Sequence, residues 1–131
     1  MREAVVPYDC ADCGHDATAA FGELLLHGRL HWSLSHACAA GPIEACGRDE
    51  SPTGLRQALL DQCGTYHLRL LSGDHVRVMK VLRDRGTSLR DIPAAVAALR
   101  DPGLPGTEAE LRLLATHLAA IGATVRLERP G

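Results

Sequence analysis

The chain has 131 residues, of which 46% are apolar and only 3% aromatic, and its net charge is -2. That length suits one domain or two small ones, and the shortage of aromatics means that any core is built from Leu, Val, Ala and Ile. The near-balanced charge argues against a general attraction to nucleic acid, and no apolar run reaches the roughly 18 residues of a membrane-spanning helix.

The opening residues MREAVVPYDC lack the long apolar centre of a secretory signal, so a cytoplasmic location is expected and no membrane partner. Charge is uneven along the chain. Residues 1–63 carry four Lys/Arg and nine Asp/Glu, residues 64–90 carry six and two, and residues 91–131 carry four and five. Composition changes near GRDESPT at 47–53, where glycine, charge and proline interrupt any regular pattern. We therefore expect a Cys-rich module over 1–50, a linking helix over 51–63 and a second module over 64–131.

Five cysteines fall at 10, 13, 38, 46 and 63. An odd number without an export signal speaks against a disulfide framework and favours metal binding. Cys10-Ala-Asp-Cys13-Gly14 puts two thiolates on one tight turn, and the following Gly tolerates left-handed geometry. Cys38 and Cys46 are separated by seven residues, and Gly47 follows Cys46 as Gly14 follows Cys13. We read the second pair as a turn with an inserted bulge. Between the pairs, LLLHGRLHWSLS predicts a hairpin that turns at His27-Gly28, with Leu30, Trp32 and Leu34 on one face. The result is a small, zinc-ribbon-like β module.

Four thiolates, Cys10, Cys13, Cys38 and Cys46, would hold a structural Zn2+ and leave no position for water. His15 or His36 could replace one cysteine as ligand. An incomplete shell of Cys10, Cys13 and Cys38 with a water would instead suit a small enzyme. A thiol–disulfide catalyst would need a helix to start at the C-x-x-C pair, and Gly14 follows it instead. No phosphate-cradling glycine loop or nucleophile triad is recognisable, and the expectation is a non-catalytic protein. Cys63, before Gly64, reads as a small apolar core residue.

The second half gives clearer signals. Ser51-Pro52-Thr53 opens a helix that Gly64 ends. Tyr66, Leu68 and Leu70 alternate with His67 and Arg69, as a half-buried strand does. Asp74 caps the helix HVRVMKVLRDRG. Ser88 with Asp91 resembles a capping box for a further helix, with Ile92, Val96 and Leu99 inside and Pro93 one turn in. DPGLPGT reads as a loop. Thr107 and Glu110 cap the helix ELRLLATHLAAIG, and ATVRLER is a final strand.

The helix over 75–86 has two apolar edges. Val78, Val81 and Leu82 form one; Val76, Met79, Lys80 and Arg83 follow the same spacing on another. The edge that ends in two cations should face water. Valine and methionine beside cations there would form a docking surface, the apolar groups giving contact area and the charges orientation and on-rate.

Residues 65–129 resemble the C-terminal, factor-binding domain of the bacterial ribosomal stalk protein. The resemblance rests on HVRVMKVLRDRG, SLRDIPAAV, the stretch GTEAELRLLATHLAAIGATVRLE and the order of elements. It implies a three-stranded antiparallel sheet packed by three helices, and α+β for the whole chain. It implies further that Val76, Met79, Lys80 and Arg83 match the family's partner-binding face and that Arg90 matches a basic position in the next helix. Gly86-Thr87-Ser88-Leu89 is one residue shorter than the family's Gly-Leu-Gly-Leu turn, and a Cys-rich segment stands where the family has its dimerising helices and hinge. The expected role is an adaptor that docks a protein partner, with a translation-related factor or ribosome component as the candidate class. The alternative is a nucleic-acid- or ribosome-binding accessory that uses the zinc ribbon and the basic helix.

Overall fold

In the computed structural model the described backbone covers residues 2–10, 13–38 and 41–130, and the described side chains exclude those of residues 15, 16, 38 and 41–44. The chain is α+β and divides into two compact units, Met1–Gly64 and Thr65–Gly131.

The first unit is an antiparallel meander of β1 (Arg2–Cys10), β2 (Gly14–Leu26), β3 (Arg29–Cys38) and β4 (Gly41–Arg48), paired in chain order and followed by α1 (Thr53–Cys63). The β2–β3 hairpin turns where expected. His27 and Gly28 both have positive φ, at 52° and 73°, the geometry of the two-residue turn that matches strand twist. The register sets Val6 beside Ala19 and Phe21 beside Leu34. Because paired residues share a face and alternate along each strand, Ala4, Val6, Ala19 and Phe21 collect on one side, where Leu59 of α1 completes a small core. Trp32 packs against that core and lies over Gly47, where a Cβ would come within 2.6 Å of the indole.

The helix expected as a linker is part of this core. Leu59 is 2% exposed. Gln62 grips the outer edge of β1: its Oε1 accepts from the Val5 N–H at 2.8 Å and its Nε2 donates to the Val5 carbonyl at 2.6 Å. An amide side chain thus makes the pair of bonds that a fifth strand would make, which protects this edge. Ser51 does not cap α1; its hydroxyl donates to the buried carboxylate of Glu23 on β2.

The second unit contains β5 (Tyr66–Ser72), α2 (His75–Asp84), α3 (Ile92–Arg100), β6 (Leu104–Gly106), α4 (Glu108–Ala120) and β7 (Thr124–Glu128). The sheet order is β6-β5-β7, antiparallel throughout. The three-stranded sheet with three helices agrees with expectation. The segment read as a loop, DPGLPGT, supplies the short edge strand β6, because backbone pairing of Tyr66 to Gly106 and Leu68 to Leu104 recruits residues whose own pattern is too short to show. Helix starts follow the capping residues. Asp74 accepts from the Arg77 N–H at 3.0 Å, and Thr107 and Glu110 form a reciprocal capping box. Ser88 instead hydrogen-bonds Asp91 within a turn, and α3 starts later, at Ile92, with Pro93 in its first turn. Leu68, Leu82, Leu99, Leu111, Leu114 and Leu118 are fully buried in one core.

Candidate metal site and exposed helix face

Cys10 ends β1, and its strand partner is Gly14, whose φ of 92° opens β2. Between Tyr8 and Cys10 the register breaks: Tyr8 pairs with Ala17 and Cys10 with Gly14. The extra residue on β2 is a bulge, a device that re-aims side chains at a strand end. On the neighbouring strand β3, His36 is buried and stacked on Tyr8 with ring centroids 4.6 Å apart. The ligand atoms of Cys10, Cys13 and His36 all lie within 4.8 Å of one another. Donors bound to one tetrahedral ion at about 2.0–2.3 Å sit somewhat closer than that, so a small inward shift would complete the contact.

The electronic preparation of His36 fits a ligand. Its Nδ1 meets the Thr18 carbonyl at 2.7 Å. A carbonyl only accepts, so Nδ1 carries the proton and the lone pair is on Nε2. That Nε2 is buried beside the Cys10 and Cys13 thiols, which hydrogen-bond the ring, so a metal ion there would take its lone pair in place of those contacts. A metal-binding histidine commonly has its second nitrogen fixed by a carbonyl in this way. The Thr18 bond, foremost, and then the neighbouring Cys13 push the His36 pKa above its ordinary value, against the desolvation that lowers it. The site thus favours the protonated ring, and a metal ion would bind Nε2 only in place of that proton. Cys10 is buried and Cys13 is exposed, so the group has one solvent-facing thiol. The Cys10–Cys13–His36 cluster could hold a metal ion.

Of the four expected cysteine ligands, Cys10 and Cys13 are in this cluster. The Cys38 side chain lies outside the described residues, as does that of His15. Cys46 is elsewhere. It pairs with Ser33 in the middle of β4, whereas His36 lies three residues from Ser33 on β3. Side chains alternate along a strand, so an odd step puts Cys46 on the face opposite His36. The bulged second turn expected between Cys38 and Cys46 is not formed; Cys38 pairs with Gly41, and β4 then runs straight through Cys46. The sequence carried one signal for the actual arrangement: on β3 the alternation that makes Leu30, Trp32 and Leu34 inward also reaches His36.

The second candidate site is the outer edge of α2. Val78 and Leu82 are fully buried and Val81 is packed beside them. Val76 is 69% exposed, and Lys80, Arg83 and Arg90 are exposed too. Among the described residues no acidic side chain pairs with these three cations. Met79 differs from expectation. It is half-buried against the core of its own unit, because one step from Val78 turns a side chain only about 100° and leaves it at the margin of the buried stripe. Leu89, not singled out from the sequence, is 65% exposed in the turn before α3. Its signal was present: an apolar residue beside Arg90, outside both helical patterns.

No helix is long and apolar enough to cross a membrane among the described residues. A scan of family models, a search of curated proteins and a search of solved structures each found no match to this chain.

Proposed function

We propose that this chain is a non-catalytic adaptor. The second unit docks a protein partner through the exposed edge of α2, and the first unit is stapled by a structural zinc ion held by Cys10, Cys13 and His36. The observation that carries the reading is the split personality of one short helix. Val78 and Leu82 are buried, while Val76, Lys80 and Arg83 are in solvent on a different edge. A helix needs only the first set to hold its place in the core. Val76 and Leu89 then offer contact area, and Lys80, Arg83 and Arg90 offer charge without partners of their own. This combination suits an acidic protein surface with an apolar centre.

The zinc assignment rests on donor chemistry. Two thiolates and an imidazole suit zinc better than calcium or magnesium, which take oxygen ligands. Cys38 and Cys46 are the two further sequence candidates; Cys46 lies on the sheet face opposite His36, which leaves Cys38 for the fourth position. The order of elements from β5 to β7 supports the likeness to the ribosomal stalk domain, and with it a translation-related factor or ribosome component as the partner class.

Capture from cell extract tests the docking face. The intact chain should retain a partner that Lys80→Glu with Arg83→Glu loses, while the thermal midpoint stays nearly unchanged. A large fall in stability would mean that these side chains support the fold. A salt series separates the alternative: nucleic-acid binding would weaken steeply as salt rises, and a mainly apolar dock would not.

A further inference from the structure

The Cys10–Cys13 pair has a use that a purely structural ion does not require. Its two sulfur atoms lie within 4.8 Å of each other, three positions apart in the chain. They are unequal, since Cys13 is exposed and Cys10 is buried beside Tyr8 and His36. The other described thiols sit in different surroundings, although Cys46 is exposed and Cys63 partly so. Cys63 donates to the Glu3 carbonyl at 3.3 Å, and Cys46 is on the opposite face of the sheet. Here one sulfur belongs to a solvent-exposed residue and the other, on a buried residue, lies within 4.8 Å of it, the arrangement in which an oxidised thiol is captured by a resolving thiol.

We infer that Cys10 and Cys13 form a reversible oxidation site that closes to a disulfide and expels the metal. The inference rests on the zinc reading above. The oxidant class is a hydroperoxide, small enough to reach Cys13. The Cys13 thiolate attacks one peroxide oxygen, the O–O bond breaks, and hydroxide leaves, with Cys13 now a sulfenic acid. The Cys10 thiolate attacks the Cys13 sulfur, an S–S bond forms, and a second hydroxide leaves. Two electrons pass from the sulfur pair to peroxide, and solvent protons convert the hydroxides to water. Both thiolate donors are consumed, so the divalent ion loses all but His36 of the described set and dissociates. A thiol reductant reverses the change and restores the site.

The test uses the full chain with Cys46→Ser and Cys63→Ser, loaded with zinc and treated with hydrogen peroxide in the presence of a colorimetric chelator. One equivalent of zinc should be released in step with the loss of two hydrogens from the intact mass. Peptide mapping should place the link between Cys10 and Cys13, and reductant should restore zinc uptake. A link to Cys38, zinc release without a disulfide, or oxidation that runs directly to sulfinic acid would overturn the inference. Absence of zinc uptake by the reduced chain would sink the zinc reading and with it the expulsion step. In that case a Cys10–Cys13 link in the peroxide-treated chain would still support the oxidation site, and no such link would overturn it.

Discussion

The two units solve the same problem with different means. The second buries twelve residues in one core, dominated by leucine from three helices and a sheet. Among the described residues the first buries five in its core cluster, two of them alanine, with Phe21 as the only large aromatic of the five. At about 25 cal/mol per Å² of apolar surface, a core of small side chains returns little against the entropy of ordering a four-stranded meander. The first unit also buries Glu23 and His36, groups that cost free energy unless they are paired. The contrast is the reason a metal staple is proposed for the one and not for the other: a short module that cannot fill its interior with hydrocarbon gains most from coordinate bonds.

The largest expected effect tests that contrast directly. Chelation, or His36→Ala, should unfold the first unit and leave the second folded. Structural zinc in small domains is worth on the order of 10–16 kcal/mol. Trp32 is the only tryptophan in the chain, so its fluorescence reports the first unit alone, and amide exchange across α4 would report the second. A first unit that keeps its tryptophan emission and melting midpoint without metal would end the staple argument.

Next come the cores themselves. Leu114→Ala removes a fully buried side chain from the second unit and should cost about 2–5 kcal/mol. Leu59→Ala should cost a similar amount in the first unit, because Leu59 is the buried residue by which α1 covers the sheet. Calorimetry resolving two transitions should move one midpoint for each variant. If Leu59→Ala is neutral, α1 is the linker that the sequence suggested.

A smaller effect is expected at Gly47. A Cβ there would meet the Trp32 ring at 2.6 Å. Gly47→Ala should displace the indole and destabilise the first unit by about 1–3 kcal/mol, as overpacking does. A shift in tryptophan emission accompanying the lower midpoint would identify the cause.

The smallest effect is electrostatic. Arg29 meets Asp49 at 2.7 Å. The hydrogen bond from Arg29, foremost, and its charge hold the Asp49 pKa below its ordinary 3.8. The pair's contribution is therefore fully present above that ordinary value, fades as pH falls from it toward the folded-state value, and is gone below. Both side chains are more than half exposed, so the gain is small. Acid titration of Asp49→Asn against the parent should show a slight difference at neutral pH that vanishes in strong acid. A difference that grew in acid would reverse the assigned sign.

Legibility also differs between the units, for a physical reason. Asp74, Thr107 and Glu110 cap helices where they were expected to, because a cap is decided by atoms three residues apart. The inward edge of α2 was legible for the same reason: helical periodicity is local. β6 was not, since three residues have no period and their strand character comes only from pairing with β5. In the first unit the hairpin at His27-Gly28 was legible from its turn residues. The ligand set was only partly so. Sequence spacing favoured Cys46, but a strand exposes alternate residues to opposite faces, and register across three strands decides which donors meet.

Interactions among near neighbours in the chain made the Asp74 and Thr107 caps, the His27-Gly28 hairpin and the inward edge of α2 legible before any fold was known. The meeting of His36 with Cys10 and Cys13, the turning away of Cys46, the closing of the first core by α1 and the half-burial of Met79 came only with the folded chain. Those outcomes depend on strand register and on the area left uncovered after packing, and both are set by residues distant in the chain.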